Sequence, residues 1–70
     1  MTNEQKMALI QSYIDDLKEY DGKPDLTINQ RQHIRRALET YNSLYLEVER
    51  GRFDPDELHE NIASFMYMLQ

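Results

Sequence analysis

Apolar residues recur at intervals of three and four positions in three segments of the chain, and this interval is typical of one face of an α-helix. The three apolar stripes are Met7, Ile10, Tyr13 or Ile14, Leu17 and Tyr20; Ile34, Leu38, Tyr41, Tyr45 and Val48; and Leu58, Ile62, Phe65 and Leu69. Glycine and proline are few and fall between the segments. The pattern predicts one all-α domain over residues 1–70, with helices over about 3–20, 28–50 and 55–69.

Three residue pairs have the spacing of a capping box, in which two side chains satisfy the free backbone N–H groups at a helix start. The pairs are Thr2 with Gln5, Thr27 with Gln30, and Asp54 with Glu57. Gly22, which can adopt a left-handed conformation at no steric cost, and Gly51 mark two helix ends. Because the connections are short, a small antiparallel three-helix domain is the most economical topology.

The last helix ends in a run that is apolar on every side, which one face of a small core cannot cover. The run consists of Phe65, Met66, Tyr67, Met68 and Leu69. We therefore expect it to form the interface of a homodimer. The alternative is that this helix docks between the other two. Leu46 lies off its helical stripe, so it is either exposed or in contact with another subunit.

The composition argues against several classes of activity. Among the 70 residues there is no cysteine, which excludes thiol chemistry and disulfide scaffolds. There is no glycine-rich phosphate loop and no nucleophile elbow. His33 and His59 each lack a second ligand at zinc spacing, so we expect two isolated surface histidines. These observations predict a chain that is not an enzyme and that uses no cofactor or metal.

The beginning of the chain is polar, and no apolar stretch approaches the roughly 18 residues of a membrane span. We therefore expect no signal peptide, no membrane partner and a cytoplasmic location.

Charge is the most informative pattern, because 13 acidic residues against 8 basic ones give a formal net charge of -5. The acids form two clusters: Asp15, Asp16, Glu19, Asp21 and Asp25; and Asp54, Asp56, Glu57 and Glu60. The second cluster suits the positive end of a helix dipole, whereas the first lies near a helix end that disfavours negative charge. Helix capping therefore does not explain the first cluster.

Three arginines, Arg31, Arg35 and Arg36, lie in the early turns of the second helix, where the helix dipole disfavours positive charge. Two explanations remain open. An antiparallel first helix could bring Asp16 or Glu19 close to them, or they could form an anion-binding strip. The net charge makes duplex DNA itself a poor partner.

A surface dense in carboxylates attracts proteins that bind phosphates through lysine and arginine. The sequence therefore predicts a basic DNA-binding protein as partner, with no direct contact to nucleic acid. The nine clustered acids are few beside duplex DNA, which carries one charge about every 1.7 Å of its axis. A homodimer would double the acidic surface, so dimer formation and DNA mimicry support each other.

A cysteine-free acidic chain of this length, with the groups Asp15-Asp16-Leu17-Lys18-Glu19-Tyr20-Asp21 and Asp54-Pro55-Asp56-Glu57, resembles the small host-takeover proteins of bacteriophages. Within that group it is similar to DNA-mimicking inhibitors of the bacterial nucleoid protein HU. The resemblance implies an inhibitor that occupies a DNA-binding cleft in the host bacterial cytoplasm. Two alternatives are a helical adaptor that binds a partner helix through its apolar surface, and a nucleotide-binding sponge in which Arg35 or Arg36 holds a phosphate.

Overall fold

The computed structural model describes residues 2–69, so Met1 and Gln70, which the predicted domain includes, lie outside the described residues. Over residues 2–69 the chain has no strand and forms three helices, α1 (Asn3–Asp21), α2 (Ile28–Glu49) and α3 (Pro55–Leu69). The all-α prediction is confirmed, and the helix bounds differ from the predicted ones by at most one residue. None of the helices within the described range is long and apolar enough to cross a bilayer.

Reciprocal capping boxes begin α1 and α2. Thr27 Oγ1 accepts a hydrogen bond from the Gln30 backbone N–H at 3.1 Å, and Gln30 Oε1 accepts one from the Thr27 N–H at 2.9 Å. Thr2 and Gln5 make the same pair of bonds at the start of α1.

The start of α3 is capped differently from the predicted box. The Asp54 carboxylate accepts a hydrogen bond from the backbone N–H of Asp56 at 3.0 Å. Among the described residues no reciprocal bond from Glu57 completes a box. A carboxylate at this position still satisfies one of the free N–H groups of the first turn.

The two glycines end their helices in different ways. Gly51, which follows α2, has a φ of 74°, the left-handed conformation that glycine adopts most easily. Gly22 ends α1 as predicted, but with a φ of -82° it remains in the right-handed region and does not use the left-handed conformation open to glycine. The backbone N–H of Gly22 instead donates to the carbonyl of Glu19 at 3.1 Å, which closes α1 with a tight turn.

The core consists of six fully buried aliphatic side chains, half of them from α1. They are Ile10, Ile14, Leu17, Ile34, Leu58 and Ile62. A ring of partly buried aromatic and aliphatic residues surrounds them. Helix α1 packs extensively against both α2 and α3, whereas α2 and α3 contact each other less. The side of the molecule between α2 and α3 is therefore its most open side.

Polar contacts join the helices at three levels of the molecule. Lys6 pairs with Asp56, so the starts of α1 and α3 are close together. At the other end of α1, Asp21 Oδ1 accepts a hydrogen bond from Arg35 Nε, in the second turn of α2, at 3.3 Å. Between these levels, the Tyr41 hydroxyl donates to the backbone carbonyl of Asn61 at 3.3 Å.

Candidate functional site

We call the nine clustered acids of the sequence the acidic surface: Asp15, Asp16, Glu19, Asp21, Asp25, Asp54, Asp56, Glu57 and Glu60. All of them except the half-buried Asp21 are exposed to solvent. Their exposure follows from helical phase, because Asp15, Asp16 and Glu19 lie on the face of α1 opposite the buried Ile10 and Leu17.

Few of these carboxylates are neutralised by the chain itself. Within residues 2–69, the ion pairs are Lys6 with Asp56, Arg35 with Asp21, and Arg50 with Glu47. Asp15 accepts a hydrogen bond from the uncharged Gln11 side chain at 3.1 Å. In the described part of the chain, Asp16 and Glu19 make neither an ion pair nor a side-chain hydrogen bond.

The structure also shows how the three early arginines of α2 are compensated. Of the two explanations left open, compensation by an acid of α1 holds for Arg35, but the acid is Asp21 and not Asp16 or Glu19. Asp21 lies one turn after the buried Leu17 and therefore on the same face of α1, which is turned toward the other helices. Arg31 Nη2 instead donates to the carbonyl of Lys23 at 3.0 Å.

The third of these arginines, Arg36, is exposed and makes no ion pair within the described range. Of the three early arginines of α2, Arg36 is therefore the one whose guanidinium remains available to an external anion.

The two acidic clusters lie in different parts of the molecule. Asp56 of the second cluster pairs with Lys6 at the start of α1. Asp16 of the first cluster lies ten residues after Lys6 on the same helix. At a rise of 1.5 Å per residue, that separation is about 15 Å along the helix axis. Asp15 and Glu19 are closer, about 6 Å apart along α1 and on one face. The fold thus presents two acidic areas, and both lie on the exposed surface of the molecule.

The apolar run of α3 divides into two sets. Phe65, Met66 and Leu69 pack against the core of the same chain. Tyr67 and Met68 remain 80% and 83% exposed. The reason is periodicity, because the first set continues the buried stripe of Leu58 and Ile62 while Tyr67 and Met68 lie on other sides of the helix. Within this run, Tyr67 and Met68 are therefore the side chains that remain mostly exposed.

Leu46 is 51% exposed and Ile28 is 77% exposed, both on α2. With Tyr67 and Met68, they are the large apolar side chains that the described residues leave exposed. Leu46 was expected to be either exposed or in contact with another subunit, and it is exposed in this structure.

A groove between α2 and α3 was not identified from the sequence. It encloses about 330 Å³ and is lined by His33, Arg36, Ala37, Thr40, Tyr41 and Phe65. The ring centre of Phe65 lies 5.2 Å from that of His33 and 5.9 Å from that of Tyr41. The helical spacing of His33, Ala37 and Tyr41 on α2 was visible in the sequence, but the approach of Phe65 from α3 was not.

The two histidines differ. His33 is exposed, as expected. His59 is half-buried, and its Nε2 is buried without a hydrogen-bond partner. Its ring packs 5.8 Å from that of Tyr13 across α1 and α3, so the expectation of a surface histidine is wrong here. Within the described range no group of three histidine or carboxylate side chains is arranged to hold a metal ion.

Comparison of the chain with protein-family models, with curated proteins and with solved structures finds no match. The function proposed for the chain therefore depends on the residues described above.

Proposed function

We propose that this chain is a protein-binding inhibitor that mimics DNA and blocks the DNA-binding surface of a basic bacterial nucleoid protein of the HU type. The observation that supports the proposal is the state of Asp15, Asp16 and Glu19. All three are exposed on one side of α1, and none is paired with a cation of the described chain. A basic partner would bind them without first displacing an internal counterion.

The three carboxylates are carried by a rigid element of the fold. The three carboxylates stand on a 19-residue helix whose opposite face carries half of the buried core. Their spacing is therefore held by packing. A fixed row of negative charges can be recognised by a groove that is built for phosphates, and such complementarity also accelerates encounter.

We propose further that the three helices are antiparallel neighbours along the chain and that two copies form a homodimer. The contacts of Lys6 with Asp56 and of Asp21 with Arg35 support the first point. The exposed Tyr67 and Met68 support the second. A stable interface buries about 800 Å² on each partner, so these two side chains would form only its centre. The host bacterial cytoplasm is the compartment in which such an inhibitor would act.

The decisive experiment is a competition for HU between this protein and duplex DNA. We expect the wild-type chain to release labelled DNA from purified HU. A triple variant, Asp15→Asn with Asp16→Asn and Glu19→Gln, should release it at least tenfold less effectively. The wild-type effect should also weaken steeply as salt is raised, because the exposed charges are screened beyond about 8 Å at physiological ionic strength.

A matched control removes three negative charges elsewhere. Glu4, Glu39 and Glu49 are exposed and lie outside the acidic surface, so their joint change to Gln alters the net charge equally. We expect this control to compete nearly as well as the wild type. The proposal is wrong if the wild type leaves HU bound to DNA, or if both triple variants behave alike.

The adaptor alternative predicts a different response to the same measurements. A partner helix held by Leu46, Tyr67 and Met68 would bind through apolar packing, which changes little with salt. Binding that is insensitive to salt and to the acidic triple variant would favour that function. The exposed positions of these three side chains are the observation that supports it.

A further inference from the structure

The groove between α2 and α3 differs chemically from the acidic surface. Its six lining residues, His33, Arg36, Ala37, Thr40, Tyr41 and Phe65, include no carboxylate. Phe65, Tyr41 and Ala37 supply the apolar part of this lining, and we call the rings of Phe65 and Tyr41 the aromatic floor. The groove can therefore accept an apolar or aromatic group without placing it against a negative charge.

A second, smaller depression of about 160 Å³ adjoins the first one and shares two residues with it. It is lined by Asn29, Gln32, His33 and Arg36. Every one of these side chains can donate hydrogen bonds, and none is acidic. Asn29 lies in the first turn of α2, where the helix dipole adds positive potential, and the other three residues lie in the next two turns. The depression is thus suited to an anion that accepts several hydrogen bonds.

Arg36 connects the two depressions and is available for binding. Arg31 and Arg35 are engaged by the Lys23 carbonyl and by Asp21, whereas Arg36 makes no ion pair within the described range. A guanidinium presents donors that match a phosphate or carboxylate in two-point geometry. The same planar group can stack on an aromatic ring, as can the neighbouring His33.

From these observations we propose that the α2–α3 groove binds a small ligand with a flat aromatic ring and an attached anionic group. A nucleoside monophosphate is the member of this ligand class that we propose. The ring packs against Phe65 and Tyr41, whose planes are inclined at 72° to each other, and the phosphate lies between Arg36 and His33. A volume of about 330 Å³ is at the lower end of small-molecule sites, so the site accommodates a mononucleotide and leaves larger ligands partly in solvent. The binding is independent of the proposed HU inhibition, because no residue of the acidic surface lines the groove.

Titration of the isotope-labelled protein with adenosine, guanosine, cytidine and uridine monophosphates, followed by amide NMR, tests the site. We expect at least one nucleotide to shift the signals of residues 33, 36, 37 and 65 in a saturable manner. Adenosine, which lacks the phosphate, and ribose 5-phosphate, which lacks the base, should each bind at least tenfold more weakly. Saturable shifts with ribose 5-phosphate equal to those with nucleotides would overturn the role of the aromatic floor.

Two variants separate the site from general charge effects. Arg36→Gln should weaken nucleotide binding at least tenfold, since a charge-assisted hydrogen bond is lost. Arg52→Gln changes the net charge equally at an exposed position outside both depressions and should leave the affinity unchanged. Phe65→Leu keeps an apolar side chain against the core and should weaken nucleotides while leaving ribose 5-phosphate unaffected.

Each variant's amide spectrum shows whether it is folded, so lost binding in a folded Arg36→Gln variant supports the site. Absence of saturable shifts with all four nucleotides would overturn the proposal. So would equal losses in Arg36→Gln and Arg52→Gln. Competition with DNA for HU is measured separately, and its outcome does not alter this result.

Discussion

At the scale of single residues, helical phase separates neighbours with opposite surroundings. Asp16 is exposed while the next residue, Leu17, is fully buried, and Asp21 returns to the inner face and meets Arg35. For Tyr41, the surroundings set by helical phase also change the pKa of the side chain. Its ring packs near Phe65, and burial raises the pKa of its hydroxyl above the ordinary value of 10.0. The hydroxyl is thereby kept neutral as a donor to Asn61.

This raised pKa predicts how stability changes at alkaline pH. In the unfolded chain Tyr41 has its ordinary pKa, so as the pH rises the unfolded state loses this proton before the folded state does. The stabilisation linked to the neutral Tyr41 hydroxyl is therefore fully present below pH ~10, and the free energy of unfolding falls as the pH rises from there through the folded-state pKa. We expect Tyr41→Phe to make this fall shallower, as measured by urea unfolding between about pH 8 and pH 11.

The slope with pH is the quantity to compare, because Tyr41→Phe also removes the hydrogen bond to Asn61 at every pH. Tyr67→Phe, measured at a concentration at which the chain is monomeric, removes a hydroxyl from a ring that is 80% exposed and is the matched control. If both variants flatten the alkaline slope equally, burial of Tyr41 is not the cause.

At the scale of elements, each helix is bounded by local signals and held by one apolar stripe. The two glycines show where local backbone geometry matters. Gly51 requires a φ of 74°, and Gly22 does not leave the right-handed region. A Cβ added at Gly22 would lie 3.4 Å from the Glu19 carbonyl oxygen, whereas one at Gly51 would contact nothing within 4 Å. Backbone conformation therefore distinguishes the two sites, and space is not limiting at Gly51.

We predict different effects of alanine at these two positions. Gly51→Ala should destabilise the fold by about 1–2 kcal/mol, because an L-residue is strained at this φ. Gly22→Ala should be close to neutral, since its right-handed backbone suits alanine and the new Cβ would lie at van der Waals distance from the Glu19 carbonyl oxygen. Thermal or urea unfolding measures both. A Gly51→Ala variant as stable as Gly22→Ala would show that the turn after α2 readily takes another conformation.

At the scale of the whole molecule, charge is distributed unevenly among the helices. The segments 1–26 and 51–70 each carry a net charge of -3, and the segment 27–50 carries +1. The acidic areas lie on α1 and α3 and in the turns beside them, whereas the α2–α3 groove with Arg36 is lined by no acidic residue. Two separate binding functions therefore have room on a 70-residue chain.

The proposed homodimer is testable at this scale. Sedimentation equilibrium should give twice the chain's mass at micromolar concentration. Tyr67→Ser together with Met68→Gln should shift the protein to the monomer, because the two most exposed apolar side chains of α3 are lost. Ile28→Gln together with Leu46→Gln removes exposed apolar groups from α2 and should leave the dimer intact. A wild-type monomer at every concentration contradicts the homodimer.

Much of the fold was predictable from local signals. Capping pairs at Thr2 and Thr27, the Asp54-Pro55 start and the three apolar stripes determine where helices begin and which faces they bury, because these effects act within a few residues. The exposure of Asp16 and Glu19 follows from the same periodicity. The ending at Gly22 was not predictable in detail, since glycine permits both hands of backbone and the turn selects one.

The sequence by itself determined three helices, an aliphatic core and an exposed set of carboxylates, since all three follow from spacing along one chain. Only the tertiary structure decided that Asp21 pairs with Arg35, that Arg36 is left unpaired among the described residues, and that Phe65 meets His33 and Tyr41 in a groove. These features depend on how far the helices rotate and slide against one another. That choice is made by side-chain packing between distant residues, which periodicity does not encode.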